Sequence, residues 1–208
     1  MNTRFGGLIA VSALTIAALA GCASAPTPST SPTPTSSAEP SATPTPAAPT
    51  EFFAMPADCT AILPVTRIEK FAAKGIILLA GPGGKYGNEL ITDPTPEMDA
   101  GGISCYFGID NEDPNQLHVS YLISAVPLDE TSRTKVVSDL TAQGLLQATD
   151  ERGDVTFGIL GGSEGQTTAN YNVIAADSWI SVISSEGGEK AYLASVGLAN
   201  SVHTANYN

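Results

Sequence analysis

The chain has 208 residues, with 21 acidic and nine basic side chains and a formal charge of −12 at pH 7. A surplus of that sign repels phosphate backbones, which excludes a nucleic-acid partner. It also disfavours anionic lipid headgroups and wall polymers unless divalent cations bridge them, and solubility is its simplest use. About 155 residues remain for a folded unit once the low-complexity start is set aside, enough for one domain with its own core.

Arg4 is the only charged side chain before Glu39. Behind it, Leu8 to Ala20 is rich in Ala, Leu, Ile and Val. A positive start, a short apolar run and small residues ahead of a cut site make an export signal. The run is shorter than the roughly 20 apolar residues of a transmembrane helix. It ends in Leu19-Ala20-Gly21-Cys22, which resembles the lipobox of bacterial lipoproteins. That resemblance implies loss of residues 1–21, diacylglycerol on the Cys22 sulfur, and a chain held on the extracytoplasmic face of the cell membrane. Several acyl chains anchor durably where one does not. Ordinary signal cleavage is the alternative.

Residues 22–50 are this cysteine and then, over 23–50, Ala, Ser, Thr and Pro broken only by Glu39. This composition buries no core and favours extended, polyproline-like conformers. At about 3.1 Å per residue it would reach on the order of 90 Å as a tether. Such linkers are common in actinobacterial lipoproteins and are candidates for O-glycosylation.

Residues 51–208 read as a single globular domain. With Cys22 lipidated, Cys59 and Cys105 are an even pair in an oxidising compartment, which favours a disulfide. The closed loop of about 47 residues would contribute roughly 4 kcal/mol. Free thiols or a metal pair are the alternatives, but two distant cysteines and two histidines lack zinc spacing.

In chain order, Asp58 caps a short turn, and Thr66 and Glu69 have capping-box spacing ahead of Ile68, Phe71 and Ala72, with Gly75 as the stop. Ile76 to Leu79 is a strand or a buried loop; periodicity does not separate the two. Gly81-Pro82-Gly83-Gly84-Lys85-Tyr86-Gly87 departs from phosphate-loop spacing and reads as the start of a flexible loop reaching Gly102. Ile103–Ile109 and Leu117–Ala125 alternate as a hairpin. A helix over 129–143 follows, then strands over 155–160, 168–176 and 179–184, then a helix over 189–203. The expected fold is α+β, with an antiparallel sheet of about five strands covered on one face by helices, and one disulfide.

Asp58-Cys59-x-x-Ile62-Leu63-Pro64 with Cys105-Tyr106-Phe107 resembles a group of actinobacterial lipoproteins of unknown function. The likeness spans roughly 55–205 and implies fold and surface location, with no functional residues.

The chemistry is sparse. Gly161-Gly162-Ser163-Glu164-Gly165 matches the letters of a nucleophile elbow, and Ser163, Asp177 and His203 follow hydrolase order. An elbow opens a helix, however, and here a strand follows. His203 reads as a helix-end cap favoured by the dipole. Asp110, Glu112 and Asp113 lack an EF-hand's glycine and distal glutamate and read as a solvated turn. Arg152-Gly153-Asp154 is a chance tripeptide, and Trp179 reads as core. No catalytic residue, metal or cofactor is expected. The best candidate ligand face is the sheet's polar side: Tyr106, His118, Ser120, Asn170 and Asn172, with Ser124 and Thr156 beside them. The expected function is a lipid-anchored, non-catalytic binding module for an envelope protein or glycan. A wall-directed hydrolase is the alternative.

Overall fold

The computed structural model describes residues 51–89, 91, 93–111, 118–162 and 167–208. The expected signal segment, Cys22, the tether, Glu112, Asp113 and Ser163 lie outside them. Four helices, α1 (Val65–Ala72), α2 (Pro96–Asp99), α3 (Glu130–Ala142) and α4 (Glu189–Asn206), accompany seven strands. These are β1 (Ile76–Ala80), β2 (Ile103–Ile109), β3 (His118–Pro127), β4 (Leu146–Thr149), β5 (Val155–Ile159), β6 (Ala169–Ile174) and β7 (Ser178–Ser184). They form one antiparallel sheet in the order β1-β2-β3-β7-β6-β5-β4.

Neighbouring residues of a strand point to opposite faces, and two buried clusters follow that rule. Ile180 and Val182 of β7 join Tyr171 and Val173 of β6 and Ile123 and Ala125 of β3 in one cluster. Phe71 of α1 and Leu198, Ala199 and Val202 of α4 complete it. Trp179 of β7, Ile174 of β6 and Val126 of β3 point the other way, where Val136 and Leu140 of α3 meet them. The sheet therefore lies between helices on both faces rather than under helices on one.

Cys59 and Cys105 are joined, with Cα atoms 5.5 Å apart, and both are fully buried in the first cluster. Gly81 lies directly against this bridge. A Cβ there would come within 2.7 Å of the Cys59 sulfur and 2.6 Å of the Ser104 carbonyl, and its φ is +108°. A side chain at that position is excluded by contact and conformation alike.

The domain's two ends are fastened together. Phe53 bridges Tyr207. Asp177, in the β6–β7 turn, accepts from the Phe53 amide at 2.9 Å and the Tyr207 hydroxyl at 2.8 Å. Arg67 of α1 donates to the Ser201 hydroxyl at 2.9 Å and the Gly197 carbonyl at 3.2 Å, tying α1 to α4.

Several expectations change. Two strands join the five expected. β1 is a true strand, and Leu146–Thr149, whose four residues are all exposed, forms the opposite edge. No sidedness marks such a segment in sequence. α1 begins at Val65 behind Pro64 without a side-chain cap, so Thr66 sits inside the first turn and the Thr66–Glu69 box does not form. The glycine loop is held in place: the Lys85 and Tyr86 amides donate to the Leu78 and Leu79 carbonyls, covering the outer edge of β1. Lys85 pairs with Asp110, and the Tyr86 hydroxyl donates to Asp110 at 2.9 Å. α2 lies within the stretch expected to be loop. The cap of α3 is Asp129, whose carboxylate accepts from the Ser132 amide at 2.7 Å while the Ser132 hydroxyl accepts from the Asp129 amide.

Candidate functional site: a groove between two helices and the polar face

The strand registers lay side chains in straight rows across the face that carries Trp179. One row runs Ser104, Ser124, Ser181, Asn172 and Phe157 from β2 to β5. The next runs Tyr106, Leu122, Ile183, Asn170 and Ile159. Ser104, Ser124, Ser181 and Asn172 are all buried.

Buried polar groups need partners, and this row supplies several of its own. The Ser104 hydroxyl bonds Thr95 at 2.6 Å and Ser124 at 2.8 Å. Thr95 also caps α2, accepting from the Met98 amide at 3.2 Å, so the same hydroxyl fixes the short helix over the sheet. The Trp179 indole N–H donates to Asn172 Oδ1 at 2.9 Å, and the Asn172 amide donates to Asn170 Oδ1 at 2.9 Å. Trp179 is held by its nitrogen, with its ring set in one orientation.

α3 covers the Val126–Trp179–Ile174 end of this face, and α2 stands opposite. The space between them is a cleft of about 450 Å³, walled by Pro96, Ala100, Val136 and Leu140, with Ser132, Lys135 and Asp139 at its polar side. A chamber of about 130 Å³ opens over Asn170, Asn172, Ser181 and Ile183. The two share Pro96, Leu140, Gln143 and Trp179 as lining, so they form one groove. Lys135 and Asp139 pair at 2.6 Å at the rim and are well exposed.

Glu97 of α2 is only 4 % exposed and lines the chamber. Its backbone carbonyl accepts from Gly102 at 2.9 Å. Its carboxylate makes no hydrogen bond or ion pair among the described residues. Nearby Tyr106 has its hydroxyl pushed above the ordinary phenol value, first by burial and then by the Glu97 charge.

Of the five expected ligand-face residues, Tyr106, Asn170 and Asn172 belong to this side of the sheet, and the groove takes in only some of them. Asn170 and Asn172 line it, and Tyr106 stands one strand from its Leu122 wall. A register shift between β2 and β3 leaves Ser120 opposite no β2 residue and pairs His118 with Ile109, on the side of Cys105 and Phe107, where His118 is exposed. Thr156 is not on this face; it pairs with Val173 of the first cluster. Trp179, Ser181 and Glu97 escaped the sequence reading as site residues. The β6 and β7 registers would have found the first two, whereas Glu97 follows from nothing local.

The other motifs disperse. Gly162 and Thr167, which flank the loop of Ser163, lie at the start of β6, and Asp177 lies beyond its end. Six strand residues put about 20 Å between those ends. Asp177 is occupied by Phe53 and Tyr207. His203 stacks on the Tyr207 ring at 3.9 Å between centroids. Burial is the main cause holding its imidazole below the ordinary value, with Arg152 adding to it. Arg152 of the Arg-Gly-Asp tripeptide is engaged by Asp150 at 2.5 Å, Asp154 at 3.3 Å and Asn200 at 3.0 Å. Among the described residues no group of three or more His, Cys, Asp or Glu is placed to hold a metal, and no helix is long and apolar enough to cross a membrane.

No protein-family model, curated protein or solved structure matches this chain.

Proposed function

We propose that this chain is an extracytoplasmic lipoprotein, held to the cell membrane through Cys22 after loss of residues 1–21, with residues 22–50 as tether. Its domain, 51–208, is a non-catalytic binding module for an envelope component or partner protein. Its ligand enters the groove between α2 and α3. The observation that carries the reading is the fixed indole of Trp179 at the junction of a cleft and a chamber, both largely apolar with a few polar side chains among their lining residues. A concave apolar site with a few convergent polar groups is the usual form of a ligand pocket. Polar residues prearranged by their own hydrogen bonds lower the ordering cost of binding.

The test is photocrosslinking in intact cells. A photoreactive residue replaces Lys135 at the rim or Leu193 on α4, both exposed. A defined adduct at position 135 and its absence at 193 is the expected result. Identical patterns at both positions would remove the groove as the site. Separately, a Cys22→Ala chain is expected in the medium rather than the membrane fraction.

A further inference from the structure

We propose that the groove takes a ligand carrying a cationic amine on an apolar body, with the ammonium received by Glu97. This deepens the preceding reading and rests on it. A carboxylate withdrawn from water and left without a partner is costly. Glu97 is 4 % exposed and has no hydrogen bond or ion pair among the described residues. No fully enclosed side-chain polar atom among those residues lacks a partner, so its carboxylate oxygens keep a little exposed surface, and Glu97 is one of the residues that line the chamber. Its structural work is done by the backbone carbonyl, which holds Gly102. The side chain is therefore spare for something that brings donors.

The surroundings select the same chemistry. Asp99 and Asp139 line the cleft, and Lys135, the one cation among its described lining residues, is already paired with Asp139. An anionic ligand would meet an unfavourable field there, and a cation a favourable one. Trp179 lines both parts of the groove and offers an aromatic surface to either a cation or an apolar body. Asn170 uses its amide oxygen to accept from Asn172 and donates no hydrogen bond among the described residues, which leaves an N–H beside the chamber for an oxygen next to the amine. Pro96, Val136 and Leu140 face the apolar remainder.

Trp179 is the only tryptophan in the chain, so its fluorescence reports on the groove alone. The purified full chain is titrated with 2-phenylethylammonium, its neutral analogue 2-phenylethanol, and phenylacetate. Phenylethylammonium is expected to bind about tenfold more tightly than the alcohol, the size of one charge-assisted hydrogen bond. Phenylacetate should bind least. Glu97→Gln should erase the difference between amine and alcohol while keeping the response to the alcohol. Thermal unfolding of Glu97→Gln guards against a folding defect. With a partnerless carboxylate replaced by a neutral amide, its midpoint should not fall. Equal binding of amine and alcohol overturns the cationic ligand and leaves the groove standing as a site. Preference for phenylacetate, or an amine preference that survives Glu97→Gln, overturns it as well. No response to any probe overturns it too, and the crosslinking at position 135 then decides on the groove separately.

Discussion

Along β3, β6 and β7 the side chains facing α1 and α4 include Ile123, Ala125, Val173, Ile180 and Val182, all apolar and closed over by helices. One residue further along the same strands stand Ser124, Asn172 and Ser181, buried yet polar. The first face needs only close packing, and the disulfide and the Arg67 clamp hold its cover down. The second needs each hydroxyl and amide satisfied, and its cover is split between α3 and the four-residue α2. A face that buries serine and asparagine beneath an incomplete roof gives up some apolar burial, at about 25 cal/mol per Å². What it gains is a groove with fixed polar walls. The lesson is that alternation along a strand does not by itself divide core from solvent; here it divides a closed core from a lined cavity.

The closed face should be the mechanically decisive one. Replacing both Cys59 and Cys105 by Ala removes a cross-link between residues 46 apart and should lower stability by roughly 4 kcal/mol, read as a drop in urea midpoint. A loss under about 1 kcal/mol would show that packing of the first cluster suffices without the bridge.

The open face should respond less, and through its hydrogen bonds. Trp179→Phe keeps a ring and removes the N–H, stranding Asn172 Oδ1 in a buried site. The expected cost is about 1–3 kcal/mol. Asn172→Leu added to it should recover part of that cost, because the unpaired acceptor goes with it. If the double variant is worse by the sum of the single effects, the bond does not hold the indole.

The smallest effect separates the faces by pH. His203, packed on Tyr207 at the C-terminal end of α4, has its folded imidazole pKa lowered, chiefly by burial. As pH falls through the ordinary imidazole range, near 6.5, the unfolded chain takes up a proton that the folded chain refuses. Stability should therefore decline across the interval between the two pKa values and level off beneath the folded one. Arg152 works in the same direction, while Asp154, Glu51 and Asp150 oppose it. His203→Gln should flatten this part of the profile, measured by denaturant unfolding between pH 7.5 and 5. An unaltered slope in His203→Gln would place the titrating group elsewhere.

Much of this was readable in residues 51–208 taken as a string. The period of two over 103–109, the helical spacing over 129–143 and 189–203, and the parity of the cysteines each encode a local or pairwise constraint, and each element formed. The failures have a common form. β4 carries no alternation because all four residues are exposed, and α2 is a single turn fixed by a hydroxyl that reaches across to Ser104. Asp177 lies past the end of β6 far from Gly162 and Thr167, because chain order says nothing of which end of a strand a residue occupies.

The sequence by itself determined the secondary elements long enough to show a period and the acidic charge, while the Cys59–Cys105 bond was one of several readings it allowed. It also placed Tyr106, Asn170 and Asn172 on one side of a sheet, because side-chain direction is set by position along a strand. Tertiary structure alone decided that α3 crosses to the face opposite α1 and α4, that Ser104, Ser124, Ser181 and Asn172 align in one row, and that Glu97 is buried without a partner among the described residues. Those outcomes depend on strand order and register, which are fixed by contacts between residues far apart in the chain and leave no mark in any short window of it.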